Sequence, residues 1–163
     1  MSAEHYRRLI LRDVDGLIRQ IEGYENEADL WTTPGGTTNS PGNLGLHVTG
    51  NLRLFIGHVL GDVQFTRDRD AEFSRRSVPR NELLEELRTS RETVDMSLRE
   101  YPDARLDEIY PMEIAGVRIT TGQFLAHLCT HLAYHLGQVD YHRRITTGRG
   151  PVEDIQGIGS LAS

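Results

Sequence analysis

The sequence contains no lysine, so each of its eighteen basic residues is an arginine. This absence excludes Schiff-base catalysis by a lysine amine, the P-loop of nucleoside triphosphatases and the Ser-x-x-Lys nucleophile. The formal net charge is −6, whereas proteins that bind nucleic acid through its phosphates usually carry a basic face and a high pI. We therefore do not expect nucleic acid to be a partner.

Cysteine and long apolar runs are also scarce. Cys129 is the only cysteine, so no disulfide can form within the chain and a reducing compartment is expected. The N-terminal segment is charged and amphipathic and lacks the apolar centre of a signal peptide. No apolar run reaches the roughly 20 residues that cross a bilayer. These absences predict a soluble, cytoplasmic protein without a membrane partner.

What the sequence does contain is helical periodicity. Apolar residues recur at spacings of three and four over about residues 4–24, 41–60, 80–101 and 121–146, as in amphipathic helices. Ser40 followed by Pro41 predicts the start of the second helix, and Thr120 with Gln123 predicts a capping box at the start of the fourth. Gly148 is expected to close the fourth helix. Without a composition break, this pattern predicts an all-α four-helix bundle that forms a single domain over residues 1–163.

The connections differ in character. Residues 26–39 contain several helix breakers and predict a loop, which Trp31 is expected to anchor. Residues 62–78 are charged and irregular and favour a long crossover between helices 2 and 3. Alternating apolar residues between Leu106 and Ile119 predict a small β-hairpin before helix 4. The Gly-rich tail from Arg149 is expected to lie along the surface.

Four of the seven histidines fall within the predicted fourth helix, at 127, 131, 135 and 142. His131 and His135 are one helical turn apart, so their side chains can converge on one cation. Alone, such a pair is equally typical of partly buried core histidines, and it needs a third partner. His47 supplies one from the inward stripe of the second helix. Three neutral imidazoles would leave a coordination position open, as in catalytic metal sites.

The other histidines fit this site less well. His58 follows His47 by eleven residues and would lie roughly 16 Å further along the axis. His127 precedes His131 by one turn, and three successive turns of a straight helix cannot all reach one point. We expect His127 outside the ligand set and His58 in packing. His142 and His5 are predicted to be surface residues.

Two other kinds of metal site are excluded by sequence pattern. The zincin motif His-Glu-x-x-His is absent because Leu132 follows His131, and no histidine has the glutamate three residues before it that di-iron bundles use. Cys129 lies about 200° around the helix from His131 and predicts a buried structural thiol. Asn51 and Gln138 lie on sides facing the site, where they either orient water or a ligand, or satisfy interhelical polar groups.

Two segments carry a resemblance to a known family. These are His47 with the following Asn-Leu-Arg-Leu-Phe-Ile-Gly run at 51–57, and Thr-His-Leu-Ala-Tyr-His-Leu-Gly-Gln-Val at 130–139. The chain resembles the DinB/YfiT-like superfamily of proteins described as metalloenzymes, in particular its DUF1572-like branch. The similarity covers essentially the whole chain, and the second segment is the more specific one.

The resemblance implies an up-down-down-up bundle and a divalent metal held by one histidine of the second helix and two of the fourth, which match His47, His131 and His135. It also implies homodimers and a small-molecule substrate. Members with assigned activities are similar to S-transferases that use low-molecular-weight thiols, and others are described as metal-dependent hydrolases. Histidine ligands suit several ions; zinc or nickel is expected ahead of iron, cobalt, copper or manganese.

Three functions follow as alternatives. In the first, the metal lowers the pKa of a bound thiol cosubstrate, giving a thiolate for S-transfer; in the second, it activates bound water for hydrolysis. In the third, the protein is a dimeric, stress-related metal-binding module without turnover. No general base is evident in the helical motif, and no catalytic residue is assigned beyond the histidine triad. Thiol transfer is placed ahead of hydrolysis on the resemblance alone.

Overall fold

The computed structural model describes residues 1–152 and 156–161, and within them the regular secondary structure is helical. The all-α prediction is therefore confirmed. The α-helices are α1 (Ala3–Glu22), α2 (Pro41–Leu52), α3 (Val59–Gly61), α4 (Arg69–Ser74), α5 (Arg80–Arg99) and α6 (Thr121–Thr147). A π-helical segment, Arg53–His58, joins α2 to α3, and short 3-10 turns occupy Glu27–Trp31, Asp103–Asp107 and Ile158–Leu161.

The predicted helix ends are confirmed where capping residues specify them. Ser40 accepts a hydrogen bond from the Asn43 backbone N–H at 3.2 Å, and Pro41 occupies the first turn. Thr120 and Gln123 form the reciprocal capping box of α6, at 3.2 and 2.9 Å. At the other end of α6, Gly148 takes the left-handed conformation with φ 69°. These local bonds satisfy backbone groups that a helix end otherwise leaves without partners.

The core forms where the apolar stripes of the long helices meet. α1 packs along both α5 and α6, and α2 contacts α5 and α6 in turn. The apolar side chains at these contacts are almost entirely removed from water, as the periodicity predicts: Ile10, Val14, Leu17 and Ile21 from α1, Leu83, Leu87 and Val94 from α5, and Leu125, Leu132 and Val139 from α6. The up-down-down-up bundle topology stays a prediction.

Helix α2 differs from the others because all of its residues are buried. It is covered by α4 in addition to α5 and α6. The loop before α2 folds back on it as well: Gly42 lies so close to Trp31 that a Cβ there would be 2.6 Å from the indole ring. Trp31 is thus partly buried against the core, which agrees with its predicted anchoring role. A polar side chain on α2 is consequently held inside the protein.

The connection between α3 and α5 is more ordered than the sequence suggests. Part of this connection forms the six-residue helix α4. Asp68 caps its start by accepting a 2.9 Å hydrogen bond from the Ala71 backbone N–H. The interpretation of residues 62–78 as irregular was wrong at this point, because a short helix carries too few residues to show periodicity. α4 packs against α2.

Two further segments bear on the predictions. Residues 106–120 contain isolated antiparallel bridges, Ile109 with Thr120 and Ile114 with Val117. No strand is present in the described residues, and the β-hairpin predicted between Leu106 and Ile119 stays a prediction. In the tail, Gly150 accepts a 2.7 Å bond from Arg143, while residues 153–155 and 162–163 lie outside the described residues. Of the described helices, none has the length and apolar character required to span a membrane.

Candidate metal centre

His47, His131 and His135 come together between α2 and α6. The Nε2 atom of His131 lies 3.4 Å from Nε2 of His47 and 3.1 Å from Nε2 of His135. The potential ligand atoms of the three residues all lie within 4.8 Å of one another. The contact between α2 and α6 produces this arrangement, because it places one buried histidine of α2 opposite two histidines that α6 presents on successive turns.

The spacing suits a metal ion. Zinc–nitrogen bonds of about 2.0–2.1 Å in tetrahedral geometry hold their ligand atoms about 3.3 Å apart, which compares with 3.4 and 3.1 Å here. Hydrogen bonding accounts poorly for the cluster, since a single proton cannot serve three converging nitrogens. The three histidines could therefore bind a divalent metal ion. Three histidine ligands are also the protein ligands of some catalytic zinc sites, which leave the fourth position open.

The ring of His47 is oriented by a carboxylate. Its Nδ1 atom lies 3.0 Å from Oε2 of Glu72, a buried residue of α4. We assign the His47 proton to Nδ1 because an ionised carboxylate can only accept a hydrogen bond. Nη2 of Arg67 also lies 3.2 Å from this nitrogen, but it donates to Oε2 of Glu72 at the shorter distance of 2.8 Å. The Nε2 lone pair of His47 is then directed at the other histidines. A carboxylate that accepts from the second nitrogen of a ligand histidine fixes its ring and raises its basicity.

Glu72 is in turn held by Arg67. The guanidinium donates from Nε to Oε1 at 2.6 Å and from Nη2 to Oε2 at 2.8 Å, the bidentate geometry typical of strong arginine–carboxylate pairs. Burial raises the pKa of Glu72, but the hydrogen bonds from Arg67 and His47 outweigh it, so the net pKa lies below its ordinary value. Glu72 therefore remains ionised beside the site at neutral pH.

Gly50 makes room for this pair. A Cβ at position 50 would lie 1.9 Å from Oε1 of Glu72, closer than any side chain could approach without displacing the carboxylate. Gly50 is on α2, one turn beyond His47, so the same helix supplies the ligand and the space for the residue that orients it. Glycine at this position thus leaves space on α2 for the Glu72 carboxylate.

His135 has its own orienting partner. Its Nδ1 atom lies 2.7 Å from Oε1 of Gln138, one turn further along α6. Because an amide oxygen only accepts, the proton is on Nδ1 and the Nε2 lone pair of His135 faces the cluster. Of the two predicted orienting residues, Gln138 thus contacts the site, while the buried Oδ1 of Asn51 has no hydrogen-bond partner among the described residues.

The protonation of the two α6 histidines favours metal binding. Burial lowers the pKa of His131 to about 4, and the nearby His135 and His47 add to the effect. Burial also lowers the pKa of His135, against the opposing effect of its hydrogen bond to Gln138. Both imidazoles are therefore neutral at pH 7, the form in which histidine coordinates metals.

The histidines predicted to lie outside the ligand set are placed elsewhere. His127 stacks on Phe124 with a centroid separation of 6.0 Å, and its ring centroid is 5.7 Å from that of His131. The Nδ1 atom of His58 lies 3.1 Å from the carbonyl oxygen of Val63, which agrees with packing at a helix end. His5 is exposed and takes part in the cap of α1.

The prediction that His142 is a surface residue was wrong. His142 is buried, with Nδ1 2.8 Å from the Tyr24 hydroxyl and Nε2 3.1 Å from the Thr32 carbonyl oxygen. No sequence pattern indicates this burial, because both partners are more than a hundred residues away in the chain. The loop containing Thr32 covers this end of α6.

Sequence reasoning also missed Glu72 and Arg67. Both lie in the charged connection after α3, where arginine and acidic residues alternate and no spacing distinguishes one carboxylate from another. Glu72 is set apart only by its burial, which depends on α4 packing against α2. A glycine one turn after the candidate ligand was the one available signal, and it is a weak one because glycines occur within helices for many packing reasons.

Comparison with known proteins gives one match. A family model described as the DinB superfamily matches residues 10–139, a range that includes all three histidines. No curated protein and no solved structure was found to match the chain.

Proposed function

The chain belongs to the DinB superfamily, and from this premise we propose that it is a divalent-metal-dependent enzyme that activates a small thiol for S-transfer. The observation that carries the proposal is the convergence of the Nε2 atoms of His47 and His135 on that of His131, at 3.4 and 3.1 Å. These three residues are the proposed ligands. Zinc or nickel is the proposed ion, since both accept imidazole ligands.

The chain's own residues prepare the site in two ways. Glu72 and Gln138 accept hydrogen bonds from the Nδ1–H groups of His47 and His135, respectively. Both rings are therefore held with their Nε2 atoms toward the centre of the site. The lowered pKa of His131 keeps its imidazole neutral at physiological pH. A bound divalent cation would supply a Lewis acid that favours the thiolate form of a coordinated thiol at neutral pH.

The thiol must come from outside the chain. Cys129 is the only cysteine, and burial, with a further contribution from Asp13, raises the pKa of its thiol to about 12. A thiol of this kind is inert as a nucleophile. Its half-buried position against the core supports the packing role predicted from sequence.

The position of carboxylates supports thiol transfer over hydrolysis. In metal-dependent hydrolases of the zincin type, a glutamate within hydrogen-bond reach acts as general base toward the attacking water. Glu72 is the carboxylate in hydrogen-bond contact with the triad among the described residues, and both of its oxygens are engaged by Arg67 and His47. A thiol, with a pKa far below that of water, has less need of a base.

Several finer features of the proposal rest on resemblance. We propose that the chain forms an up-down-down-up four-helix bundle of the DUF1572-like branch as a single domain, that it assembles as a homodimer, and that it acts on a small molecule in the cytoplasm. The all-helical fold and the family match support the first of these.

Metal uptake is the first test. Purified protein is stripped with a chelator, titrated with zinc or nickel by calorimetry, and analysed for bound metal by mass spectrometry. We expect one ion per chain, and loss of that binding in His47→Ala. Protein that takes up neither ion would refute the proposal.

The reaction is tested on the metal-loaded protein. It is incubated with low-molecular-weight thiols and a panel of electrophiles, and products are identified by mass spectrometry. Thioether products that require the protein, the thiol and an intact His135 support S-transfer. Hydrolysed electrophile without thiol incorporation would instead indicate a hydrolase, and no turnover by metal-loaded protein would indicate a binding module.

A further inference from the structure

A cleft of about 810 Å³ opens beside the histidine triad. One wall is the loop at residues 34–39 with the start of α2, and the other is the outward side of α6. His135 contributes to the lining, so the cleft reaches one of the three proposed metal ligands from the solvent side. This volume lies within the range of small-molecule binding sites.

Among the residues that the structure describes, none of those lining the cleft is an aspartate, a glutamate or an arginine. Arg144 lies over the ring of Tyr141 at 5.3 Å but is ion-paired with Asp140 at 3.6 Å and does not line the cleft. By contrast, the cavity beside α5 is lined by Arg53, Glu82 and several other charged residues. A ligand with a carboxylate or phosphate would therefore find no cationic side chain among these described lining residues to compensate for its lost hydration.

The α6 wall carries three exposed side chains with large apolar surfaces. Tyr134 and Tyr141 are each 65% exposed, and Ile145 is 73% exposed. The two tyrosines are two turns apart and therefore share one side of the helix. Their rings carry large apolar faces at little entropic cost, and stacking of a flat ligand on them would remove these faces from water.

The same wall carries the exposed side chain of Gln138, which lies beside His135. Gln138 accepts from His135 Nδ1 through Oε1 at 2.7 Å, and its Nε2 group has no hydrogen-bond partner within the part of the chain that the structure describes. The amide can therefore donate to a ligand while it orients the histidine. A neutral acceptor such as a carbonyl, ether or hydroxyl oxygen satisfies this donor.

From these features we infer that the cleft binds an uncharged small molecule with an aromatic or flat apolar body and a neutral hydrogen-bond acceptor, and that it disfavours anionic ligands. The inference rests on the proposed function, because it assigns the substrate body for the reaction at the triad. The apolar body lies along Tyr134 and Tyr141, and the acceptor lies at Gln138, next to His135.

Benzamide and benzoate form a matched pair of probes, since they share size and shape and differ in charge. Their dissociation constants are measured by chemical-shift titration on metal-free full-length protein, where a carboxylate cannot bind a metal ion. We expect benzamide to bind about tenfold more tightly, because benzoate would lose hydration without gaining a counter-charge. Equal or tighter binding of benzoate would overturn the inference.

Three variants locate the binding. Tyr141→Ala should weaken benzamide about three- to tenfold through loss of the stacking surface, whereas Met96→Ala, at a residue 66% exposed on α5, should have no effect. Thr38→Arg, at an exposed residue of the opposite wall, should reverse the preference toward benzoate. Unchanged affinity in Tyr141→Ala or unchanged preference in Thr38→Arg would overturn the assignment.

Two measurements separate this inference from the proposed function. Zinc binding by Tyr141→Ala is measured by calorimetry and should equal that of the wild type. The inference about the cleft can then be contradicted without contradicting the proposed metal site. Sedimentation is measured in parallel, because a second copy of the chain could also cover the exposed tyrosines. A dimer that excludes benzamide and dissociates in Tyr141→Ala would overturn ligand binding in favour of an interface.

Discussion

His131 and His142 lie on the same helix about three turns apart, and burial lowers the pKa of both. Their surroundings nevertheless differ in kind. Both ring nitrogens of His142 have partners, the Tyr24 hydroxyl at 2.8 Å and the Thr32 carbonyl at 3.1 Å. The Nε2 atom of His131 instead faces the Nε2 atoms of two other histidines.

This difference shows how a buried structural histidine can be distinguished from a candidate ligand. A donor and an acceptor satisfy the ring of His142, so nothing further is needed there. At the triad, His47 and His135 donate their Nδ1–H groups to Glu72 and Gln138, so the lone pairs on their Nε2 atoms point toward His131. A metal cation can coordinate all three nitrogens at once, whereas one N–H proton makes a good hydrogen bond to only one neighbouring nitrogen. Burial and a lowered pKa alone do not separate the two cases.

The largest effect is expected from His131→Ala. The Nε2 atom of His131 lies next to the Nε2 atoms of both other histidines. Its removal leaves only two protein ligands for the metal. We expect metal affinity to fall at least about a hundredfold, beyond the tenfold to hundredfold typical of losing an orienting partner. Zinc titration by calorimetry measures this, with His127→Ala as the matched control one turn earlier on α6. Equal losses in the two variants would contradict the assigned ligand set.

Replacing the residue that orients His47 should have the next largest effect. Glu72→Gln keeps the size of the side chain but removes its charge and weakens its hold on the His47 Nδ1 proton. We expect metal affinity to fall about tenfold to hundredfold. Glu82→Gln is the control, since that carboxylate pairs with Arg75 at the surface. Wild-type affinity in Glu72→Gln would show that His47 does not depend on the carboxylate.

His142→Ala should produce the opposite pattern. It removes the closer partner of the buried Tyr24 hydroxyl and leaves that group only a 3.5 Å contact with the Val139 carbonyl oxygen. Loss of a good hydrogen bond by a buried hydroxyl costs about 1–2 kcal/mol. We expect that loss in the free energy of unfolding, measured by urea denaturation of the metal-free protein. Zinc affinity should stay at the wild-type value, and a clear loss of affinity would remove the distinction between the two histidines.

The remaining effect, which is absent at pH 7, is a pH dependence of the metal-free protein. Because the pKa of His131 is lowered from 6.5 to about 4 on folding, the residue has no influence on stability above pH 6.5. As the pH falls from 6.5 toward 4, the unfolded chain takes up a proton that the folded protein excludes, and stability decreases. Below about 4 both states are protonated and the decrease ends.

Urea denaturation between pH 7 and pH 4 measures this dependence. His131→Gln should flatten the decrease, whereas His5→Gln, at an exposed residue of α1, should leave it unchanged apart from a constant offset. Since the pKa of His142 is also lowered by burial, part of the decrease should remain in His131→Gln. Identical slopes in wild type and His131→Gln would argue against a neutral, buried His131.

Much of the helical structure follows from local sequence. The caps at Ser40 and Thr120, the C-terminal Gly148 and the apolar stripe of α1 are formed by residues a few positions apart, so periodicity and capping chemistry predict them. The candidate ligands could be selected on similar grounds, because one turn separates His131 from His135. The π-helical segment Arg53–His58 was not predicted, since it leaves no distinct pattern in the sequence.

The orienting residues and the fate of His142 could not be predicted in this way. Glu72 is one of many acidic residues, and His142 is one of four histidines on α6. Their roles depend on which segment covers them: α4 brings Glu72 to His47, and the loop containing Thr32 covers His142. No pattern along the sequence indicates these tertiary contacts.

The sequence by itself therefore determined the all-helical class, the helix ends and the set of histidines able to share an ion, because each depends on interactions within a turn or two of the chain. The tertiary structure decided which histidine nitrogens are free and which are satisfied. It did so because hydrogen-bond partners such as Tyr24 for His142 and Glu72 for His47 are brought together only when α1, α2 and α4 pack around the core.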